Sequence, residues 1–513
     1  MLKTKRLQDF RNYDKYQMMN EKQKKAFEAM AEGRNVFITG VAGTGKSFVL
    51  NAFNDWARGD DKNKIVTVAP TGLSAYLVKG VTLHSQFKLG GVIPKNFNYF
   101  KYLNGLPDYK REVIQAMDIL EIEEISMVRY DYFRRIMQII EAEELEQGHK
   151  IQVILSGDFG QLCPILTNNT GSKRTNEKYS SELEVFKNYY PMINTEAWAF
   201  LDEEHFSKFE VHELTEVVRQ QDKDFVEALN KVRIGDKSGL EFINKNKASH
   251  AEDDAVIICG TNVQVQKINN YFLSQLKGEE ASFKLKYSGE TDASAVPADP
   301  VLTIKKGAKV MCLINDLDGD TFEEKRYHNG SFGEVVDFEV DDSTGELTKV
   351  MVDFSKDGQV NIITFEPYTW KIKAYIPIIK KDAEELTSTI KGITGKNVEV
   401  SKEDITFSHE EVGTIEGFPL RLAYAMTVHK AQGHTFEHIG IMPRFWENGQ
   451  LYTALSRVTS IKGFCSEFIN PALVKSSKLV KNFYENLHYS GEELKSKKRK
   501  RFKNFDLSDI KLG

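Results

Sequence analysis

The chain has 513 residues, a formal net charge of −5, 41% hydrophobic and 28% charged residues. Such a length exceeds one ordinary core and implies roughly three or four domains. No apolar run nears the ~20 residues that span a bilayer, and the mild acidity excludes a global positive field, so any nucleic-acid site must be a local groove. Cys163, Cys259, Cys312 and Cys465 lack paired spacing, which argues for a reducing compartment and against a zinc or iron–sulfur site. The start, Met1-Leu2-Lys3-Thr4-Lys5-Arg6, has no apolar stretch behind it and does not read as a secretory signal.

In chain order, residues up to about 34 read as a helix with Ala26, Phe27, Ala29 and Met30 apolar. From about 35 to 220, apolar strands alternate with helices: Val36–Thr39, Ile65–Ala69, Ile119–Ile122 and Ile151–Ser156. That alternation predicts an α/β fold with a parallel sheet covered on both faces. The first strand runs into Gly40-Val41-Ala42-Gly43-Thr44-Gly45-Lys46-Ser47 and then a helical pattern. This is the context of a phosphate loop, whose glycines let backbone N–H groups surround an anion. Lys46 is placed to reach the β- and γ-phosphates of a nucleoside triphosphate, and Ser47 to hold Mg²⁺. Phe87–Gln115, rich in Gly, Asn, Tyr and Lys, reads as a small insertion. A second alternating region begins at Ala255-Val256-Ile257-Ile258 and resumes near Leu422–Thr427. Between them, from about Gly330 to Gly413, β-branched alternation with turn signals suggests an inserted antiparallel barrel. The basic run Lys495–Arg501 reads as a solvated tail, a phosphate-binding arm or a nuclear address.

A triphosphatase needs acid at a neighbouring strand end. Ile119-Leu120-Glu121-Ile122-Glu123-Glu124 supplies two adjacent carboxylates, one for Mg²⁺ and the next to polarise the attacking water. Gln161, in Gly157-Asp158-Phe159-Gly160-Gln161, carries an amide that can sense a γ-phosphate; the Gly-Asp pair alone reads as a turn. Arg219, and Arg457 on an amphipathic helix with Leu451 and Leu455, are candidate fingers on the transferring phosphoryl group.

The ordered series resembles the petite-integration-frequency (PIF-type) helicases of superfamily 1B. It comprises the phosphate loop, Ala69-Pro70-Thr71-Gly72, Gly80-Val81-Thr82-Leu83-His84-Ser85, Glu124-Ile125-Ser126-Met127, Gly157-Asp158-Phe159 with Gln161, and Arg219-Gln220. Thr261-Asn262, Asn329-Gly330, Thr427-Val428-His429-Lys430-Ala431-Gln432-Gly433 and the Arg457 segment complete it, over about residues 20 to 464. The resemblance implies two RecA-like motor domains with ATP in the cleft between them: residues 1–219, with a wedge-like insertion at about 88–115, and residues 220–329 plus 414–480. It implies a Src-homology-3-like barrel over 330–413, and residues 481–513 are left as a basic tail. It assigns Gln23 to adenine, Gly40 to Ser47 to the phosphates, and Ser47 and Glu123 to the metal. Lys46, Glu124 as base, Gln161 as sensor, and Arg219 and Arg457 as fingers form the implied catalytic set. Strand tracking falls to Pro70, Thr71, Thr82, His84, Ser85, Phe159, Asn262, Asn329, Thr427, His429 and Lys430, groups that can hold phosphates and sugars without reading bases. Glu123 departs from the family's aspartate, displacing the carboxylate by about 1.5 Å, and Cys163 stands where the family has proline.

The resulting expectation is an intracellular, monomeric, ATP- and Mg²⁺-dependent helicase moving 5′ to 3′ on single-stranded DNA and opening forked duplexes. A cytoplasmic, nucleoid or nuclear setting and a single-stranded-DNA-binding or replication protein as partner are compatible with it. Two alternatives stand beside it: a nucleotide-gated single-strand clamp with hydrolysis weakened at Glu123, and a RecD-like subunit active within a complex.

Overall fold

The computed structural model describes residues 10–58, 64–71, 74–75, 78–164, 166, 182–193, 196–217, 222–249, 255–291, 296–316, 326–327, 329–355, 360–379, 405–442, 445 and 447–487. The first layer is a six-stranded parallel sheet of β1 (Val36–Gly40), β2 (Ile65–Ala69), β3 (Val81–Thr82), β4 (Ile119–Ile122), β5 (Gln152–Ser156) and β6 (Glu210–Leu214). Its order is β3-β2-β4-β5-β1-β6. β1, β2, β4 and β5 are buried along their whole length, as parallel strands covered on both faces must be. Edge strand β6 is only half-buried until Leu214 and carries Glu210, His212 and Glu213.

Each face of the sheet has its own core. On one side Phe27 of the helix Glu21–Ala31 and Phe53 of the helix Lys46–Arg58 pack with Phe10 and Tyr16. The first of these helices starts at a capping box made by Asn20 and Gln23, so the helix predicted up to about 34 is shorter and bounded at Ala31. On the other side the long helix Tyr130–Gln147 packs with the insertion. The insertion holds the helices Tyr99–Asn104 and Asp108–Ala116, with Tyr99, Leu103, Val113 and Ile114 in the core. Arg135 pins it by donating to the carbonyls of Pro94 (2.8 Å) and Asn96 (3.2 Å).

A second, four-stranded parallel sheet runs Ala425–Thr427, Val256–Cys259, Ile439–Ile441, Phe464–Cys465. The chain leaves it after Cys259 and returns at Ala425, as the interrupted alternation predicts. The intervening chain forms antiparallel sheets. One has five strands in the order Ile362–Phe365, Leu347–Asp353, Phe332–Val340, Lys309–Cys312, Leu420–Leu422. Another joins Tyr368–Ile379, Ile405–Gly417 and Lys286–Gly289. Strands on both sides of 330–413 therefore complete these sheets, because a strand edge left unpaired there would expose its backbone groups.

The helix Lys478–Leu487 closes the described chain and runs past 481, where a tail was expected. Val480 and Tyr484 are buried in the core of the first sheet, and Phe483 stacks on Phe200 with ring centroids 4.7 Å apart. The basic run Lys495–Arg501 lies outside the described residues.

Candidate nucleotide site and strand interface

The loop Gly40–Ser47 sits at the C-terminal end of β1, the end at which doubly wound sheets take ligands. Gly40, Gly43 and Gly45 all have positive φ. A Cβ on Gly40 would lie 2.2 Å from the Leu214 carbonyl oxygen, and one on Gly45 2.6 Å from Gln23 Nε2, so both positions are closed to side chains. Lys46 Nζ donates to the carbonyls of Gly40 (2.9 Å) and Val41 (3.2 Å), which folds the ammonium over the loop. Ser47 is exposed. Buried Gln23 donates to the Thr44 carbonyl at 3.1 Å while its Oε1 accepts from the Asn20 backbone N–H at 3.0 Å.

The acids lie where β4 ends. Glu123 is buried, and desolvation together with its neighbours Glu124 and Glu121 pushes its carboxyl up to about 8. Glu121 accepts from Asn54 and Thr67, both at 2.8 Å, through Oε2. Glu124 adopts a left-handed conformation with φ 51° and ψ 47°. A β-carbon makes that conformation cost about 1–2 kcal/mol, and such strain collects at functional positions.

The second sheet's segments close over these groups. Gln432 donates from Nε2 to Glu124 Oε2 at 2.9 Å and to Gln161 Oε1 at 3.3 Å, so one amide spans the expected base and sensor. The hydroxyl of Tyr452 accepts from the Ala42 N–H at 3.1 Å, placing the helix Gln450–Leu455 against the phosphate loop. A Cβ on Gly449 would stand 2.0 Å from the Gln161 carbonyl oxygen, which records how closely that helix approaches. Arg457 is buried one turn beyond Tyr452, donating to Thr453 O (2.9 Å) and Ser456 Oγ (2.8 Å). Arg219 lies outside the described residues.

Asp158, expected only to mark a turn, is the most heavily partnered acid here. It is fully buried and accepts from Arg233 Nη2 (2.8 Å) and Nε (3.0 Å), Gly160 N (2.9 Å), Tyr484 (3.1 Å) and Tyr452 (3.2 Å). Burial alone would raise its carboxyl, but Arg233 and Lys46 hold it below the usual carboxylate range. Sequence reasoning missed Arg233, Tyr452 and Tyr484; Gln432 stood in a quoted motif without a role.

The expected strand-tracking residues divide. Thr82 caps the helix Leu83–Phe87 by accepting from Ser85 N at 3.2 Å, and Thr427 caps Val428–Ala431 by accepting from Lys430 N at 3.3 Å. Thr71 accepts from Ser74 N at 3.1 Å next to half-buried Pro70. Thr261 caps the helix that begins at exposed Asn262. His84 and Ser85 are exposed, with the His84 ring edge-on to Tyr132 at 4.9 Å. Asn329 Oδ1, His429 Nε2 and Gln432 Oε1 are buried with no hydrogen-bond partner among the described residues. Burial also lowers the His429 pKa. Lys430 is ion-paired with Asp299, which also accepts from Arg421 at 3.1 Å. Phe159 is a correction: it is 1% exposed, enclosed by Phe37, Trp198, Phe200, Phe206 and Phe483, and its ring cannot meet a strand.

The sequence pattern of the PIF1-like helicases matches residues 18–240. The ATP-dependent DNA helicase Pif1 of Campylobacter jejuni is 28% identical over 452 residues, covering 83% of this chain and 87% of the relative. The crystal structure of Bacteroides sp. Pif1 in complex with ADP-AlF4 superposes with a TM-score of 0.66 at 27% identity, covering 93% of this chain and 97% of that one. Bacteroides Pif1 bound to single-stranded DNA gives 0.57 at 29% identity, covering 91% and 96%. With the phosphate loop, the acids of β4 and the cross-cleft glutamine arranged as described, this chain is similar in sequence and in fold to the PIF1-like helicases.

Proposed function

We propose that the chain is an ATP-dependent DNA helicase that moves 5′ to 3′ on single-stranded DNA and opens forked duplexes. One observation carries this reading. Gln432, from the segment that also bears Thr427, His429 and Lys430, reaches across the cleft to Glu124 and Gln161. Strand grip and hydrolysis thus share a short element, which is what coupling them requires. Relatives bound to ADP-AlF4 and to single-stranded DNA support the two ligands.

In this reading Lys46 leaves its carbonyl partners for the β- and γ-phosphates, and the loop N–H groups receive the anion. Gln23 retains one donor and one acceptor after its two loop and cap bonds, enough to recognise the adenine edge. Glu124 takes the proton of the attacking water, Gln161 orients the γ-phosphate, and Arg219 and Arg457 stabilise the charge on the transferring group. Ser47 and Glu123 fit Mg²⁺, a hard ion that takes hydroxyl and carboxylate oxygen. The cation would supply charge neutralisation at the phosphates, and the crowding of Glu121, Glu123 and Glu124 is the condition that a cation relieves. The antiparallel strands are read as the Src-homology-3-like barrel of residues 330–413. Bulges between Val335 and Asp337 and between Glu339 and Val340 supply the curvature a small barrel needs. The insertion at 88–115 is assigned as the wedge; its Tyr109 donates to Glu290 at 3.0 Å beside the strand Lys286–Gly289.

Three measurements test the reading. Lys46→Ala and Glu124→Gln are each expected to reduce DNA-stimulated phosphate release at least 100-fold, while the wild type unwinds forks that carry a 5′ single-stranded tail. Wild-type turnover in either variant removes the assigned site, and unwinding from 3′ tails alone removes the polarity. A wild type that binds strand without releasing phosphate is the nucleotide-gated clamp instead.

Glu123 gives a pH dependence. With its folded pKa raised to about 8, the folded chain keeps a proton that the unfolded chain has lost above its ordinary value of 4.5. Stability contributed by this group therefore declines as pH rises from about 4.5 to about 8. The melting temperature of Glu123→Gln, without nucleotide, is expected to exceed that of wild type by a margin that widens between pH 5 and 8.5. A constant margin refutes a raised Glu123 pKa.

At the strand interface, Asp299→Asn releases Lys430 for a phosphate. Affinity for oligothymidylate is expected to rise about threefold or more, with the salt slope steeper by up to about one ion. Unchanged affinity and slope place Lys430 off the strand.

A further inference from the structure

Tyr484 belongs to a helix that follows the second parallel sheet in sequence but is buried against the first. Its surroundings fix the direction of each hydrogen bond. Burial and the neighbouring Asp158 carboxylate raise its pKa, so the phenol keeps its proton. That single proton goes to Asp158 Oδ1 at 3.1 Å. The phenol oxygen then accepts from the Phe159 backbone N–H at 3.0 Å and from the Thr39 hydroxyl at 2.8 Å. Thr39 directly precedes the phosphate loop. Arg233 completes the arrangement, with its guanidinium carbon 4.1 Å from the centre of the Tyr484 ring and its nitrogens on Asp158.

Asp158 in turn shapes the loop that carries Gln161. Its carboxylate accepts from Gly160 N at 2.9 Å and its carbonyl from Gln161 N at 2.9 Å. Gly160 has no room for displacement, since a Cβ there would stand 2.6 Å from the Arg233 side chain. We propose that Tyr484 is a positioning residue for ATP hydrolysis: the C-terminal helix, through the Tyr484 hydroxyl, locks the Gly157–Gln161 loop to the strand end beside the phosphate loop and so holds Gln161 in place for the γ-phosphate. This rests on the nucleotide site described above. The helix has its own anchorage: Glu196 of the first sheet's half accepts from Asn448 at 2.9 Å and from Ser477, the residue that precedes the helix. A motion of the second half that pulls on residues 448–477 therefore reaches the sensor loop through a short, mostly buried path.

The test compares DNA-stimulated ATP hydrolysis by the full chain and by three variants. Lys46→Ala is the control: if it hydrolyses ATP as wild type does, the nucleotide site has been misassigned and Tyr484 loses its role with it. Given an inactive control, Tyr484→Phe is expected to lower kcat about tenfold, the scale of one buried hydrogen bond to a charge, with KM for ATP within twofold. Phe483→Leu, which loosens the same helix and its packing on Phe159 but leaves the Tyr484–Asp158 hydrogen bond in place, is expected to keep kcat within twofold while lowering the melting temperature. Rates are expressed per nucleotide-binding site, counted with a fluorescent ADP analogue, so that loss of folded protein does not register as loss of kcat. A kcat for Tyr484→Phe within twofold of wild type overturns the proposal. So does an equal fall in Phe483→Leu, which would make the helix a packing element alone.

Discussion

The buried charge of Asp158 is the constraint on which the cleft depends. A carboxylate taken out of water must be paired and hydrogen-bonded, and removing one partner of such a set typically costs 3–5 kcal/mol. Here the partners come from three separate stretches of chain: Arg233, Tyr452 and Tyr484. Satisfying one acid therefore brings together the helix after the first sheet, the helix that bears Tyr452 and the C-terminal helix. The two phenols arrive as matched donors, and each also accepts a backbone N–H, from Ala42 and from Phe159. The network thus touches the phosphate loop on one side and the sensor loop on the other.

Around this fixed point, several of the other contacts across the cleft are polar. Gln432 to Glu124 and Gln161 is a pair of amide hydrogen bonds, and Gln432 Oε1 is left without a partner among the described residues. Such a contact is worth about 1 kcal/mol net and is readily exchanged for a ligand. The apolar cores, in contrast, stay largely on their own sides of the cleft: Leu162 and Met127 of the first half pack in the second half's core, and Val480, Phe483 and Tyr484 of the C-terminal helix in the first's. A motor needs this division. Rigid cores keep the strand ends in register, while the groups between them trade partners when nucleotide and DNA arrive.

Much of the fold was legible because its signals are local. Val36–Gly40 and Ile65–Ala69 are short apolar runs bounded by turns, and the glycines of the phosphate loop have positions that only glycine fills. The acids of β4 were legible for the same reason, since strand and carboxylates are adjacent. What was not legible lies in long-range partnership. Tyr484 and Asp158 are 326 positions apart, and nothing in a helix reading Lys-Leu-Val-Lys-Asn-Phe-Tyr marks which of its rings meets a carboxylate. Phe159 was misplaced because an aromatic residue in a loop reads equally as a stacking platform or a core side chain. The surrounding rings that decide the matter come from Phe37, Trp198, Phe206 and Phe483. Strands at 309–312 and 420–422 escaped the expected barrel limits because sheet membership follows pairing rather than chain continuity.

The acidity of the whole chain also finds a physical place in this scheme. A strongly basic groove would hold a strand tightly and pay for it in slow release. Here Lys430 is neutralised by Asp299, and burial lowers the pKa of both His429 and Lys430. On the proposed reading, the groups that meet a backbone include the capped helix starts at Thr82 and Thr427 and the amide of Asn329, which offer dipoles rather than full charges. Each such contact is weak, and its strength depends on geometry over a few tenths of an ångström. A grip built this way changes more on a small displacement of the Thr427–Gln432 element than a grip built on long-range charge. Because Gln432 ends that element and touches Glu124 and Gln161, the displacement and the state of the phosphates are, on the proposed reading, linked through one amide.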